Sequence, residues 1–171
     1  MTRLMLLVLV LGGLLVQALP VYAADVVELT TRVSGMVESV QVKPGQSVKK
    51  GAVLLKLDAV VMQARQDEAE AEFMSAEADE RDARREFERA QTLYERTVSS
   101  ASELEAATLR HTRARAALAA ARARLTIARK DRRDTELRAP FDGVVKSVAA
   151  VGTVVAADCQ PRTLVTLRAG R

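Results

Sequence analysis

The chain contains one histidine, His111, and one cysteine, Cys159, and these two residues limit its chemistry. A zinc site draws most of its ligands from histidine and cysteine, and no two-His or Cys/His set exists here. A Ser-His-Asp arrangement could be built only through His111, which falls within a helical repeat where a lone imidazole serves packing or register. Cys159 has no second thiol with which to form an internal disulfide, so a small, partly buried thiol is expected, with an intermolecular bridge as the alternative. Asp67 with Glu68 and Asp79 with Glu80 are carboxylate neighbours in an acidic segment, a pattern of solvated faces rather than of acid–base pairs. Met36, Met62 and Met74 are scattered and form no soft-ligand cluster. There is no Gly-rich phosphate loop. The reading is of a chain with no catalytic residue, no metal and no cofactor.

What remains is architecture. At 171 residues the chain has room for about one domain. Aromatic residues are 3% with no Trp, which argues against a large globular core, while 28% charge with many Ala, Glu and Arg in the middle suits a long helix or coiled coil. The formal net charge is +4, too weak a balance to argue for nucleic acid. Arg3 precedes an apolar run from Leu4 to Val16, and Val21-Tyr22-Ala23 follows with residues that a signal peptidase reads. The pattern predicts a cleavable signal peptide over 1–23 and hence export. A retained anchor is the alternative, but the 13-residue run would span only ~20 Å of a ~30 Å hydrocarbon core.

Two short β segments flank the middle. Val33 to Val42 alternates, with Val33, Gly35, Val37 and Ser39 on one face; Pro44-Gly45 and Lys50-Gly51 make turns; Val53 to Leu57 is a strand. The C-terminal part repeats this order. Gly143, Val145, Ser147 and Val148 match Gly35, Val37, Ser39 and Val40, Gly152 and Val155 match Gly45 and Val48, and Thr163 to Leu167 stands for the strand over 53–57. Such self-similarity predicts two half-repeats that complete one another, since neither alone has enough strands to bury a core. The glycines are expected to supply turn conformations.

Between Asp58 and Arg138 there is no Gly or Pro. The first arm repeats Met62, Ala69, Ala76, Ala83 and Ala90 at one heptad position and Gln66, Phe73, Glu80, Phe87 and Tyr94 at the other. The second repeats Leu104, His111, Leu118 and Leu125 beside Ala107, Ala114, Ala121 and Ala128. Sustained heptads predict a coiled coil, and alanine at alternate seam positions lets the backbones approach closely. The serine-rich break over 99–102 ends the first arm, and either Ser100 with Glu103 or Ser102 with Glu105 forms a capping box for the second. From Asp58 to Thr97 the net charge is −6 (6 basic, 12 acidic), and from Glu103 to Glu136 it is +4 (9 basic, 5 acidic). Opposite signs predict an antiparallel hairpin rather than one continuous dimerising helix.

These residues carry a family resemblance. The glycines and apolar residues from Gly35 to Asp58 are similar to the first half of a split lipoyl-like module (barrel-sandwich hybrid), and Leu137 to Val145, with its Ala139-Pro140-Phe141-Asp142-Gly143 run, to the entry of the second half. With a helical hairpin between them, the chain resembles the periplasmic adaptor subunits, or membrane fusion proteins, of tripartite efflux and secretion systems (haemolysin D-like). The resemblance implies an α+β fold with 24–58 as the first half, 59–136 as an antiparallel coiled-coil hairpin with its tip near 98–102, 137–168 as the second half and 169–171 as a tail. It implies a periplasmic protein, peripheral to the inner membrane, that links an inner-membrane transporter to a TolC-like outer-membrane channel and assembles as a homo-oligomeric ring or with a longer adaptor. Arg89, Leu93 and Ser100 stand at the family spacing for channel docking, while Gly35, Gly45, Gly51, Pro140, Phe141, Gly143 and Gly152 fall at its turn and packing positions. The family's usual barrel and membrane-proximal domains are not in the sequence, which suits a short form, a fragment or an accessory subunit. A lipoyl or biotinyl carrier is the remaining alternative; it needs a lysine in the turn between the halves, where Leu57-Asp58 and Glu136-Leu137 stand instead. Lys43, Lys49, Lys50, Lys56 and Lys146 lie in or beside other strands and turns.

Overall fold

The two half-repeats interlock as a pair of four-stranded antiparallel sheets, each made of two strands from one half and two from the other. The computed structural model describes residues 26–156 and 162–170, so the segment over 1–23 expected to be a signal peptide and Cys159 lie outside the described residues. The element order is β1 (Val26–Leu29), β2 (Gly35–Val40), β3 (Ser47–Val48), β4 (Val53–Leu57), α1 (Val60–Glu95), α2 (Ala101–Arg133), β5 (Glu136–Arg138), β6 (Gly143–Val148), β7 (Val154–Val155) and β8 (Val165–Ala169). One sheet runs β1-β8-β6-β3 and the other β5-β4-β2-β7. Each position of the first sheet has a counterpart in the second; β1 and β3 of the first half join the strands of the second, and β5 and β7 of the second half join those of the first. Even the irregularities correspond, with register shifts between Val37 and Ser39 in β2 and between Val145 and Ser147 in β6.

The core follows the same duplication. Leu54, Leu55 and Leu57 from one half meet Leu164, Val165 and Leu167 from the other, with Val37 and Val145 also fully buried. The strand expected over 163–167 begins two residues later, at Val165, and continues to Ala169. Strands β1 and β5 were not part of the sequence reading; each is short and takes its place only by pairing with β8 or β4.

The glycines divide by role. Gly45, Gly51 and Gly152 take positive φ, as turns require. Gly35 and Gly143 instead open the strands β2 and β6, among the turn and packing positions. A Cβ at Gly143 would overlap the carbonyl oxygen of Arg168, whereas one at Gly35 would meet its nearest neighbour, Leu57 Cβ, at an ordinary 3.6 Å. In the run that enters the second half, Phe141 packs on the core. The Asp142 carboxylate accepts the Lys50 amide at 2.6 Å and so holds the turn before β4.

The inserted arms form an antiparallel pair of 36 and 33 residues, about 50 Å long at 1.5 Å per residue. The seam assigned from the heptads is shielded from Met62 to Ala90 on α1 and from Leu104 to Ala128 on α2, with Ala69, Ala107, Ala121 and Leu125 buried. His111 stacks on Phe87 with centroids 5.4 Å apart, and its Nε2 lies 3.2 Å from Glu80 Oε1, so the seam histidine sets register. Arg122 stands over the Phe73 ring at 5.8 Å, and its alkyl stem extends the apolar stripe. Acidic and basic arms meet through Arg110–Glu86, Arg124–Glu72 and Arg129–Glu70 at 2.9 to 3.0 Å. These pairs are exposed and contribute at most ~1 kcal/mol each, so they select the partner more than they stabilise it. Tyr94, assigned to the same seam, is 45% exposed because α1 ends one residue later.

The Phe87–His111 stack places Ala83 opposite Ala114, one turn further from the tip. Ala83→Cys with Ala114→Cys, in a Cys159→Ser background, is therefore expected to form an intramolecular disulfide on mild oxidation; a non-reducing gel with mass spectrometry reads it, and failure to close would overturn the register. Gly143→Ala is expected to destabilise by about 1–3 kcal/mol through overpacking, and Gly35→Ala by well under ~1 kcal/mol. Urea unfolding of the two variants tests the asymmetry.

Candidate docking tip of the hairpin

The first arm ends in a turn that closes its own backbone. The Val98 amide donates to the Leu93 carbonyl at 3.0 Å and the Thr97 amide to the Tyr94 carbonyl at 2.9 Å, the paired bonds of a Schellman motif. Thr97 takes the left-handed conformation at φ 64°. The second arm then starts from Ser100, whose Oγ accepts the Glu103 amide at 3.3 Å while Glu103 Oε2 accepts the Ser100 amide at 3.1 Å. Of the two capping boxes that the sequence allowed, the one formed is Ser100 with Glu103. Ser99 Oγ donates to the same carboxylate at 2.5 Å.

This geometry places the three residues singled out from the sequence. Arg89 and Leu93 are i and i+4 on the outer side of the last turns of α1, Arg89 exposed and Leu93 38% exposed. Arg89 forms no ion pair among the described residues, although its neighbours Arg84 and Arg85 are both paired within α1. Ser100 is exposed at the start of α2, where its oxygen accepts in the cap and its hydroxyl also faces the Glu103 carboxylate. Val98 (73% exposed) and Tyr94 add apolar surface beside them. The tip therefore presents an exposed guanidinium and apolar side chains beside a hydroxyl held in the cap, and the guanidinium suits the carbonyl-rich ends of partner helices.

The opposite end of the hairpin fixes where the tip points. Asp134, the C-cap of α2, accepts hydrogen bonds from Arg32 Nη2 at 2.7 Å and from Lys130, and its carbonyl accepts from Thr31 at 3.3 Å. Burial, the largest single influence, raises the pKa of the Asp134 carboxyl, but Lys130 and Arg32 together outweigh it and hold it below the ordinary carboxylate value. Glu136 is likewise lowered, chiefly by Arg138 and then, against an opposing effect of partial burial, by Lys56. These contacts line a cleft of about 1000 Å³ between hairpin and β module. Sequence reasoning missed this network because the pairs that tie hairpin to module, Arg32 and Thr31 with Asp134 and Lys56 with Glu136, are some 80 to 100 residues apart. Thr97 was missed as well, since nothing in a Val-Ser-Ser-rich break marks a threonine for left-handed backbone.

Glu103 carries a testable pH dependence. Its pKa is lowered, first by the hydrogen bond from Ser99 and then by that from the Ser100 amide. The folded value lies below the ordinary 4.5, so the capping box is fully formed above that pH and is lost as the pH falls through the folded value. The Ser100 amide resonance is expected to shift as Glu103 protonates below 4.5. In Glu103→Gln that transition should be absent, and its persistence would show that another group controls the tip.

Comparison with known proteins agrees with the architecture. Residues 25–167 match the barrel-sandwich hybrid domain of RND membrane fusion proteins (RND MFP). The chain is 33% identical over 125 residues to Escherichia coli YdhJ, covering 73% of this chain and 44% of that protein. It is 39% identical over 82 residues to the Brucella suis efflux pump periplasmic linker BepF, covering 47% of this chain and 20% of BepF. It therefore spans less than half the length of either relative. Among solved structures it is similar to a MacA–MexA chimera carrying the Pseudomonas aeruginosa MexA α-hairpin domain, at 26% identity and a TM-score of 0.58, covering 86% of this chain and 47% of the chimera. A split β module interrupted by a helical hairpin, matched along nearly all its described length, places this chain in the RND membrane fusion protein family.

Proposed function

We propose that the protein is a periplasmic adaptor, not an enzyme, which links an inner-membrane transporter to a TolC-like outer-membrane channel for efflux or secretion across the envelope. The observation that carries this reading is the tip: Arg89, Leu93 and Ser100 are all exposed at the end of an arm about 50 Å long whose base is pinned to the β module. Leu93 supplies the apolar contact and Arg89 donates to helix-end carbonyls of the channel, with Ser100 capping the arm beside them. The β module packs side by side with other copies or with a longer adaptor, and the transporter supplies the energy. The name of the Brucella suis relative, an efflux pump periplasmic linker, supports the same role. Among the described residues no helix is long and apolar enough to cross a membrane; on this reading export relies on the segment over 1–23.

A photo-crosslinking residue at position 93, expressed in cells, is expected to capture an outer-membrane channel of TolC type. Arg89→Glu should reduce that product by about tenfold, the ~1.4 kcal/mol scale of one charge-assisted hydrogen bond. Crosslinks only to another adaptor would make the chain an accessory subunit, and crosslinks to neither would sink the docking reading.

A further inference from the structure

Among the described residues four positions take left-handed backbone, and three of them are glycine: Gly45 (φ 86°), Gly51 (85°) and Gly152 (84°). The fourth is Thr97, at φ 64°. It occupies the C′ position of the turn that ends α1, where glycine is usual because a side chain there crowds the backbone. A β-branched residue is among the least suited to that conformation. The chain thus uses glycine at each such turn of the β module and keeps a strained, branched residue at the apex of the hairpin.

The Thr97 hydroxyl is also distinctive. The hydroxyls of Thr92, Thr108, Thr112 and Thr126 donate to carbonyls four residues back, at 2.7 to 2.9 Å. Ser99 and Ser100 are both engaged with Glu103. Thr97 is exposed, and among the described residues its hydroxyl makes no side-chain hydrogen bond. Its neighbour Val98 is 73% exposed. Strain held where glycine would relieve it, together with a hydroxyl left outside the internal bonding, is the mark of a contact residue rather than of a turn former.

We propose that Thr97 is a further specificity-determining residue of the tip, and this rests on the docking reading above. Its hydroxyl hydrogen-bonds an open backbone group at the end of a channel helix, and its methyl, with Val98, packs against the apolar side of the same helix end. Thr97 is exposed in the turn itself, four residues beyond Leu93, where the outer side of α1 has ended.

The test uses the full chain in cells, with the photo-crosslinking residue at position 93, in wild type, T97G and T97V. Glycine removes the side chain and the strain; valine keeps the shape and removes the hydroxyl. The purified T97G protein should melt a few degrees higher than wild type, while its channel crosslink falls about threefold or more, the weight of one hydrogen bond. T97V should melt like wild type and lose crosslinking as T97G does. T97G and T97V that crosslink as well as wild type, while Arg89→Glu lowers the product about tenfold, would overturn the role of Thr97 and leave docking intact. A lower melting temperature for T97G would overturn the strain on which the inference stands. Wild type that never reaches a channel would overturn docking and Thr97 together.

Discussion

The Leu57 amide donates to the Thr135 carbonyl at 2.8 Å, and through that bond the far ends of an insertion of more than 70 residues are returned to neighbouring strands. The rest of the structure depends on this closure. Neither half-repeat can bury Leu54, Leu55 and Leu57, or Leu164, Val165 and Leu167, without the other, so the core exists only if the arms bring the chain back in register. That requires arms of nearly equal length, and α1 and α2 differ by three residues. The junction is satisfied in detail. Asp58 accepts the Val60 amide at 2.9 Å and puts a negative charge at the start of α1, while buried Thr135 bonds the Arg132 carbonyl at 2.7 Å beyond the end of α2.

Much of this was legible because it repeats. The Gly-x-Val spacing of 35–37 and 143–145 identified equivalent strands, and the alanine heptads identified the seam, since periodic burial leaves a periodic trace. The unread features are those that depend on one long-range meeting. Strands of three and four residues such as β5 and β1 carry no pattern of their own. Gly143 looks like Gly35 in sequence, yet only Gly143 lies against the Arg168 carbonyl. Arg32 and Asp134 are ordinary surface residues until the fold sets them 2.7 Å apart. At the tip, the exposure of Arg89, Leu93 and Ser100 follows from their place at the ends of two amphipathic arms, whereas the backbone of Thr97 was not readable.

Charge and packing divide the work along the hairpin. Alanine layers let the backbones approach, which makes dispersion contacts dense but leaves little shape by which one register differs from its neighbours. The larger layers and the polar pair His111 with Glu80 supply that difference. The acidic and basic arms favour antiparallel pairing within one chain over pairing between like arms of two chains. Stability and specificity thus come from different residues of the same seam.

The placement of β4 beside β5 has a mechanical consequence. The C-terminal end of β4 leads into α1 and the N-terminal end of β5 receives α2, so both helices leave the module from the same end of one antiparallel pair. Tension applied at the tip draws the two strands in the same direction and does not peel one from the other. The force passes instead to the ladder between β4 and β2, which it loads in shear, with several hydrogen bonds resisting at once rather than in succession. An arm built this way can be pulled from its far end without opening the core in which it is rooted.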